Sequence, residues 1–251
     1  MKPPASRQGQ RIVVGMQPVR EAIRVHCSRI ERVMLREPPS DALQALERFA
    51  RDQGVSQIDR LSERELTELS RGVSHQGAVA WAPKLTLLAF DDLILDPVLL
   101  GLVLDRIQDP QNFGAVVRSA VALAGAAVIW GENASAPLST ATFRASAGAI
   151  EHARLCRVRS LTAALGQATQ NGAQVIGLDS QAAVHLKMFD LSKPTLLVLG
   201  SEHGGLARGV RRVCGAVATV APSGALRSLN VSVAGALALY EAVTQREKSA
   251  L

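Results

Sequence analysis

From residue 98 onward, short and mostly apolar runs recur at 100–104, 127–130, 155–158, 174–178, 195–199 and 216–220. They do not alternate polar with apolar positions, so each reads as a strand buried on both faces. Between them, helices are expected near 113–124, 139–147, 160–171 and 206–213, and a last one at about 229–246. Ser160 is placed to cap the third of these and Gly172 to end it. Short apolar strands alternating with helices predict a parallel sheet covered on both faces.

The first part of the chain reads as a smaller α/β unit. Residues 32–35 form a strand candidate. Ser40 can cap a helix that carries Leu43, Leu46, Phe49 and Ala50 on one face, and Gly54 ends it. A second strand is expected at 55–59. Ser62 with Glu65 makes a capping box for a helix running toward Leu69, and 78–81 reads as a closing strand. This divides the chain into a disordered basic start at 1–10, a small domain at 11–82, a linker at 83–97 and a larger domain at 98–251. The tail after Tyr240 is polar and expected to fray.

Composition narrows the class. The chain has 251 residues, 47% of them apolar and 20% charged, which suits a folded protein with a real core. Aromatics make up only 3%, so Ala, Val, Leu and Ile must build that core. Cys27, Cys156 and Cys214 are far apart and odd in number, which suggests reduced thiols in a cytoplasmic protein. No apolar run is long enough for a membrane span, and the polar start lacks the apolar stretch of a secretion signal. Residues 1–36 hold eight basic residues against two acidic ones, a surplus equal to the +6 of the whole chain. Such a segment suits an RNA-contacting surface, or equally a solvated basic face.

Three stretches do not read as packing. They are 105–119, 199–206 and 220–232, each following a predicted strand and rich in Gly, Pro and Asn. Loops at the carboxyl ends of parallel strands are where α/β proteins place ligand sites. Neither a dinucleotide fingerprint, nor a P-loop, nor a serine-hydrolase elbow occurs, and the His residues at 26, 75, 152, 185 and 203 show no metal-ligand spacing. In the first stretch Asn112 can cap the following helix. That helix is rich in small residues, and Arg118 sits among them; it needs an anionic partner, which could be a ligand or simply Asp105 or Asp109. The second surrounds Glu202 with Gly200, Gly204 and Gly205. The third ends in Ser228-Leu229-Asn230-Val231-Ser232, where Ser228 or Asn230 could do no more than cap a helix.

Taken together, in order and spacing, Asn112-x-Gly114-x-x-x-Arg118-Ser119, Gly200-Ser201-Glu202-x-Gly204-Gly205-Leu206, and Pro222 followed by Ser228-Leu229-Asn230-Val231-Ser232 resemble the SpoU–TrmH family of RNA ribose 2′-O-methyltransferases, within the SPOUT superfamily. The resemblance covers about 100–246. Residues 15–22 and 75–80 are similar to the ribosomal-protein-like RNA-binding domain that precedes the catalytic domain in some members, including those that methylate a guanosine of 23S ribosomal RNA. Pro18 and the Pro-rich start depart from that pattern.

The resemblance implies a parallel-sheet catalytic domain with a C-terminal trefoil knot, preceded by a small α/β RNA-binding domain. It implies a cytoplasmic homodimer with its active site at the dimer interface. S-adenosylmethionine would be the methyl donor, with no metal, and the RNA substrate would be 23S ribosomal RNA or a ribosomal assembly intermediate. Leu199, Gly200, Ser201, Val220, Pro222 and Leu229 would hold the donor. Asn112, Arg118, Glu202, Ser228 and Asn230 match catalytic and substrate-contacting positions. A transfer-RNA methyltransferase, or a non-catalytic RNA-binding protein of the same fold, are the alternatives.

Overall fold

The computed structural model describes residues 9–133, 138–202, 204–220 and 228–249. The chain forms two compact units, Met1–Leu85 with Leu138–His152, and Thr86–Pro137 with Ala153–Leu251.

The first unit opens with β1 (Gln10–Val14) and α1 (Met16–His26), followed by β2 (Arg32–Arg36), α2 (Asp41–Asp52), β3 (Ile58–Leu61), α3 (Glu63–Leu69) and β4 (Ala78–Pro83). Its sheet order is β1-β4-β2-β3, antiparallel except for the β2–β3 pair. Ser40 Oγ accepts from Leu43 N, and Ser62 and Glu65 close a full capping box, as their spacing predicts. In β2, Val33 and Leu35 face one apolar cluster with Val19, Ile23 and Leu43, while Met34 faces another with Leu66. Period-two alternation thus buries both faces of this sheet.

Two elements here differ from expectation. β1 begins at Gln10, inside the stretch expected to be disordered, and α1 carries Pro18 in its first turn, where a missing N–H has no helical partner to lose. β3 lies at Ile58–Leu61 rather than 55–59, because Val55 closes the end of α2 by donating to Ala50 O at 3.0 Å.

The second unit contains α4 (Phe90–Ile94), β5 (Leu100–Leu104), α5 (Pro110–Leu123) and β6 (Ala127–Gly131). After α6 (Thr140–Ala145), which belongs to the first unit, it resumes with β7 (Arg154–Val158), α7 (Leu161–Gln170), β8 (Gln174–Leu178), β9 (Thr195–Leu199), α8 (Arg208–Val213), β10 (Ala216–Ala218) and α9 (Val231–Ser249). Its six strands are all parallel, in the order β10-β8-β9-β5-β6-β7. From β5 the chain builds outward to β7, then returns to the other side of β5. The direction of winding therefore switches between β5 and β9, the place where open α/β sheets bind ligands.

From Thr86 on, the segment 83–97, expected as a linker, belongs to this unit and contributes to its core. Leu93 and Ile94 of α4 are buried in it, and Leu88 N donates to Leu155 O at 2.7 Å. The tail does not fray after Tyr240. Arg246 donates to the carbonyls of Leu191, Val98, Leu99 and Lys193 at 2.7–2.9 Å, fixing the last turns of α9 to the chain entering β5 and β9. Asn112 is not the cap of α5. Asp109 Oδ1 takes that role by accepting from Gln111 N at 3.0 Å, and Pro110 fits the first helical position.

Residues 138–152 lie between β6 and β7 in sequence, yet pack within the first unit. Glu151 is fully buried there, paired with Arg11 and with His26 Nε2 at 2.9 Å. His152 Nε2 meets Glu21 at 2.9 Å, so each segment supplies a carboxylate to a histidine of the other. Burial pushes the Glu151 carboxyl up, but the His26 hydrogen bond and the Arg11 charge outweigh it and hold it below its ordinary 4.5. A depressed carboxylate stabilises the fold fully above about pH 4.5, and that stabilisation is lost as pH falls through the folded-state value. Glu151→Gln is therefore expected to destabilise the first unit by about 3 kcal/mol at pH 6. The deficit should shrink at a second, acidic pH below the folded-state value, where the wild-type carboxyl is also protonated. Hydrogen exchange of the β1 and β4 amides at both pH values reads this; an equal deficit at both would show that the ion cluster contributes nothing.

Candidate active site

The described parts of the three Gly- and Asn-rich stretches converge on the carboxyl ends of β5 and β9, around the switch in winding. α5 begins the site. Phe113 packs edge-on against Trp130 of β6, ring centroids 5.4 Å apart, which fixes the first turn of the helix on the sheet. That turn buries Asn112. Gly114 and Ala120 on α5, and Ala238 and Ala242 on α9, are buried small residues on two helices that pack together. Such residues allow close approach of the two backbones, which brings the start of α9 within reach of Asn112.

The Asn112 side chain is bonded at both ends. Its amide N–H donates to Glu202, and its carbonyl accepts from Asn230 Nδ2 at 2.9 Å. Asn230 Oδ1 in turn accepts from Ser232 N at 2.8 Å and Ser232 Oγ at 2.6 Å. Asn230 is thus both the helix cap and a member of the polar cluster.

The Glu202 loop is shaped by a close backbone crossing. Ser201 and Gly205 exchange N–H···O bonds at 3.0 and 2.9 Å, and a Cβ on Gly200 would overlap the Gly205 carbonyl carbon and Leu206 N. Only glycine fits at 200 without displacing main chain. Arg106, at the end of β5, donates from Nη2 to Gly205 O at 3.1 Å and braces the same turn.

These loops enclose a cavity of about 630 Å³, within the range of small-molecule sites. Leu199, Gly200, Ser201, Glu202, Val220, Ser228, Leu229 and Asn230 all line it. Pro222 lies outside the described residues. Arg118 is not gathered in: it is exposed on α5, lines no part of the cavity, and among the described residues has no ion-pair partner. Neither Asp105 nor Asp109 takes it. Asp105 is buried beside Arg106 and accepts from Ala207 N, while Asp109 caps α5.

Asp179 and Arg211 also line the cavity, though neither belongs to the three stretches. A signal for Asp179 does exist in the sequence, since it follows the apolar run 174–178 just as Gly200 follows 195–199. Burial pushes the Cys156 and Cys214 thiols up to about 11, so neither is a ready nucleophile. Among the described residues no group of three or more His, Cys, Asp or Glu side chains could hold a metal ion.

The SpoU rRNA Methylase family profile matches residues 100–240, and a profile for RNA 2′-O ribose methyltransferase substrate binding matches residues 12–87. This chain belongs to the SpoU rRNA methylase family. It is 35% identical over 246 residues to the 23S rRNA (guanosine-2′-O-)-methyltransferase RlmB of Pseudomonas syringae pv. tomato, covering 93% of this chain and 95% of that protein. An uncharacterized tRNA/rRNA methyltransferase of Mycolicibacterium vanbaalenii is 34% identical over 245 residues, 95% of this chain and 77% of that protein. The fold is that of the SpoU methyltransferase AviRb from Streptomyces viridochromogenes in complex with the cofactor AdoMet. That structure covers 96% of this chain and 92% of its own, at 24% identity and a TM-score of 0.78.

Gly200→Ala is expected to force the Gly205 turn away from β9 and to destabilise the second unit by about 2 kcal/mol. Hydrogen exchange of the Ser201 and Gly205 amides should speed up; unchanged protection would mean that the crossing is not tight.

Proposed function

We propose that this chain transfers a methyl group from S-adenosylmethionine to a ribose 2′-hydroxyl of RNA, its target a guanosine of 23S ribosomal RNA in the cytoplasm. The observation that carries this reading is the Asn112 amide, bonded to both Glu202 and Asn230 beside a cavity of donor size. The 35% identity to an RlmB, extending through both units, favours ribosomal over transfer RNA.

The cavity walls fit the donor. Leu199, Val220 and Leu229 offer apolar surface for a flat base, and Gly200, Gly204 and Gly205 line the cavity without side chains to fill it. When bound, S-adenosylmethionine supplies a methyl made electrophilic by its sulfonium, chemistry that needs no metal. The residues of the chain must then align a hydroxyl and manage one proton. Glu202 holds the Asn112 amide, Asn112 holds Asn230, and Ser228 and Asn230 present polar groups to the ribose. A guanidinium is a poor proton acceptor, so the part of Arg118 is to bind phosphate and stabilise the developing alkoxide while the proton leaves by another route.

A second copy of the chain supplies that arginine. α9 exposes Val233, Leu237 and Tyr240 at 46%, 42% and 62%, spaced along one face of the helix. A face of this kind suits a partner subunit, and Arg118 stands exposed on the neighbouring α5. The reading also includes a trefoil knot. Supporting it is the return of the chain from β10, at the sheet edge, to α9 against α5 and β9. The first unit is the RNA-holding domain, in keeping with its arginine-rich sequence and the profile matched at residues 12–87.

Two measurements test this. Calorimetry should show S-adenosylmethionine binding, and tritium should pass to unmodified 23S ribosomal RNA. Glu202→Gln should keep donor binding but lower turnover on the order of a hundredfold. Absence of donor binding at millimolar concentration removes the reading, and unchanged turnover removes Glu202 from the site. Separately, Leu237→Asp combined with Tyr240→Asp should convert a dimer to monomer in sedimentation and abolish transfer; a variant that stays dimeric would place the interface elsewhere.

A further inference from the structure

The cavity has a second polar end that none of the three motif loops supplies. β8 lies beside β9 with Leu178 opposite Leu199, so Asp179 and Gly200 leave neighbouring strands side by side, about 4.8 Å apart. Asp179 is held in place from three directions. Its Oδ1 accepts from Gln181 N at 2.9 Å, its Oδ2 pairs with Arg211 of α8, and its own N donates to Ala218 O at 3.0 Å. The side chain remains 25% exposed and lines the cavity. The Gln181 N–H and the Arg211 guanidinium hold its carboxyl below the usual range, so near neutral pH it is purely an acceptor. A carboxylate has about four lone-pair positions, and the Gln181 and Arg211 bonds use two of them.

Resting on the proposed function, we infer that Asp179 takes the ribose hydroxyls of the methyl donor and so selects an intact nucleoside. Donor and cavity are complementary in chemistry. The donor has a flat base, a vicinal diol and an amino-acid group. The leucine, valine and glycine walls suit the base. A vicinal diol presents two O–H donors on adjacent carbons, and a fixed carboxylate is their natural acceptor. Carboxylates beyond the ends of parallel strands take ribose hydroxyls in the dinucleotide sites of other α/β folds. The donor's own carboxylate would be repelled at Asp179, leaving its ammonium as the competing occupant. Arg211 is the positioning residue: it fixes the Asp179 rotamer while leaving acceptor capacity free.

The probes are S-adenosylhomocysteine, 5′-methylthioadenosine, which lacks the amino-acid group, and 2′,3′-dideoxy-5′-methylthioadenosine, which lacks the diol. Affinities are measured by calorimetry on the wild-type chain, Asp179→Asn and Asp179→Ala. Asp179→Ala should weaken the first two probes by a common factor of about tenfold or more, as expected for a hydrogen bond to a charged group. Asp179→Asn, which keeps the shape and one acceptor oxygen, should weaken both by a smaller common factor. The dideoxy probe should bind wild type weakly and be indifferent to the substitutions. Equal affinity of wild type and variants for 5′-methylthioadenosine overturns the inference. So does weakening confined to S-adenosylhomocysteine, which would assign Asp179 to the ammonium. Should either variant fail to fold, wild type alone decides, because a dideoxy probe that binds as tightly as its parent also overturns it. A wild-type chain that binds no S-adenosylhomocysteine removes the proposed function itself, and this inference falls with it.

Discussion

Asn112 has a single side-chain amide, and both ends of it are used by residues 90 and 118 positions further along the chain. An amide offers its N–H groups on one side and its carbonyl on the other. It can therefore join an acceptor and a donor that would not attract each other in the right geometry by themselves. Because Asn112 is buried, leaving either end unpaired would cost on the order of 1–3 kcal/mol. That cost specifies where Glu202 and the start of α9 must stand, and the cavity between them takes its shape from the same bonds.

Such a tie works only if the elements carrying it are rigid. The edge-on contact of Phe113 with Trp130 fixes α5, and the glycine crossing at Gly200 fixes the Glu202 turn. At the far end of α9, Arg246 donates to four backbone carbonyls where the chain enters β5 and β9. α9 is thus anchored at its last turns by a guanidinium and at its first by Asn230. The sheet places these anchors correctly because its winding direction switches between β5 and β9, leaving room above the strand ends for loops from both sides.

What could be read from the sequence was whatever local chemistry decides. The capping box of Ser62 and Glu65, the apolar runs of the parallel sheet and the loops that follow them depend on neighbours a few residues away. The remainder depends on partners distant in the chain. α1 hides behind Pro18 and interspersed arginines. Asn112 resembles a cap until Asp109 is seen to take that bond. Residues 138–152 carry only local helix signals, while their place in the first unit is decided by Glu151 meeting Arg11 and His26. Arg118 marks the opposite limit: its position in the motif is plain in the sequence, yet within one chain it reaches none of the other site residues.

Arg106 shows how the site relates to the stability of the sheet. It occupies the left-handed region at φ 60°, a conformation costing a residue with a Cβ on the order of 1 kcal/mol. A glycine there would relieve the strain. The arginine stands where its guanidinium reaches Gly205 O, on the turn whose backbone crosses Gly200. The strain therefore sits at the end of β5, two residues after the last sheet position, and is offset by a bond that holds the Glu202 loop down. Backbone energy spent at Arg106 keeps Glu202 facing Asn112, so local destabilisation and the order of the site are two consequences of one side chain.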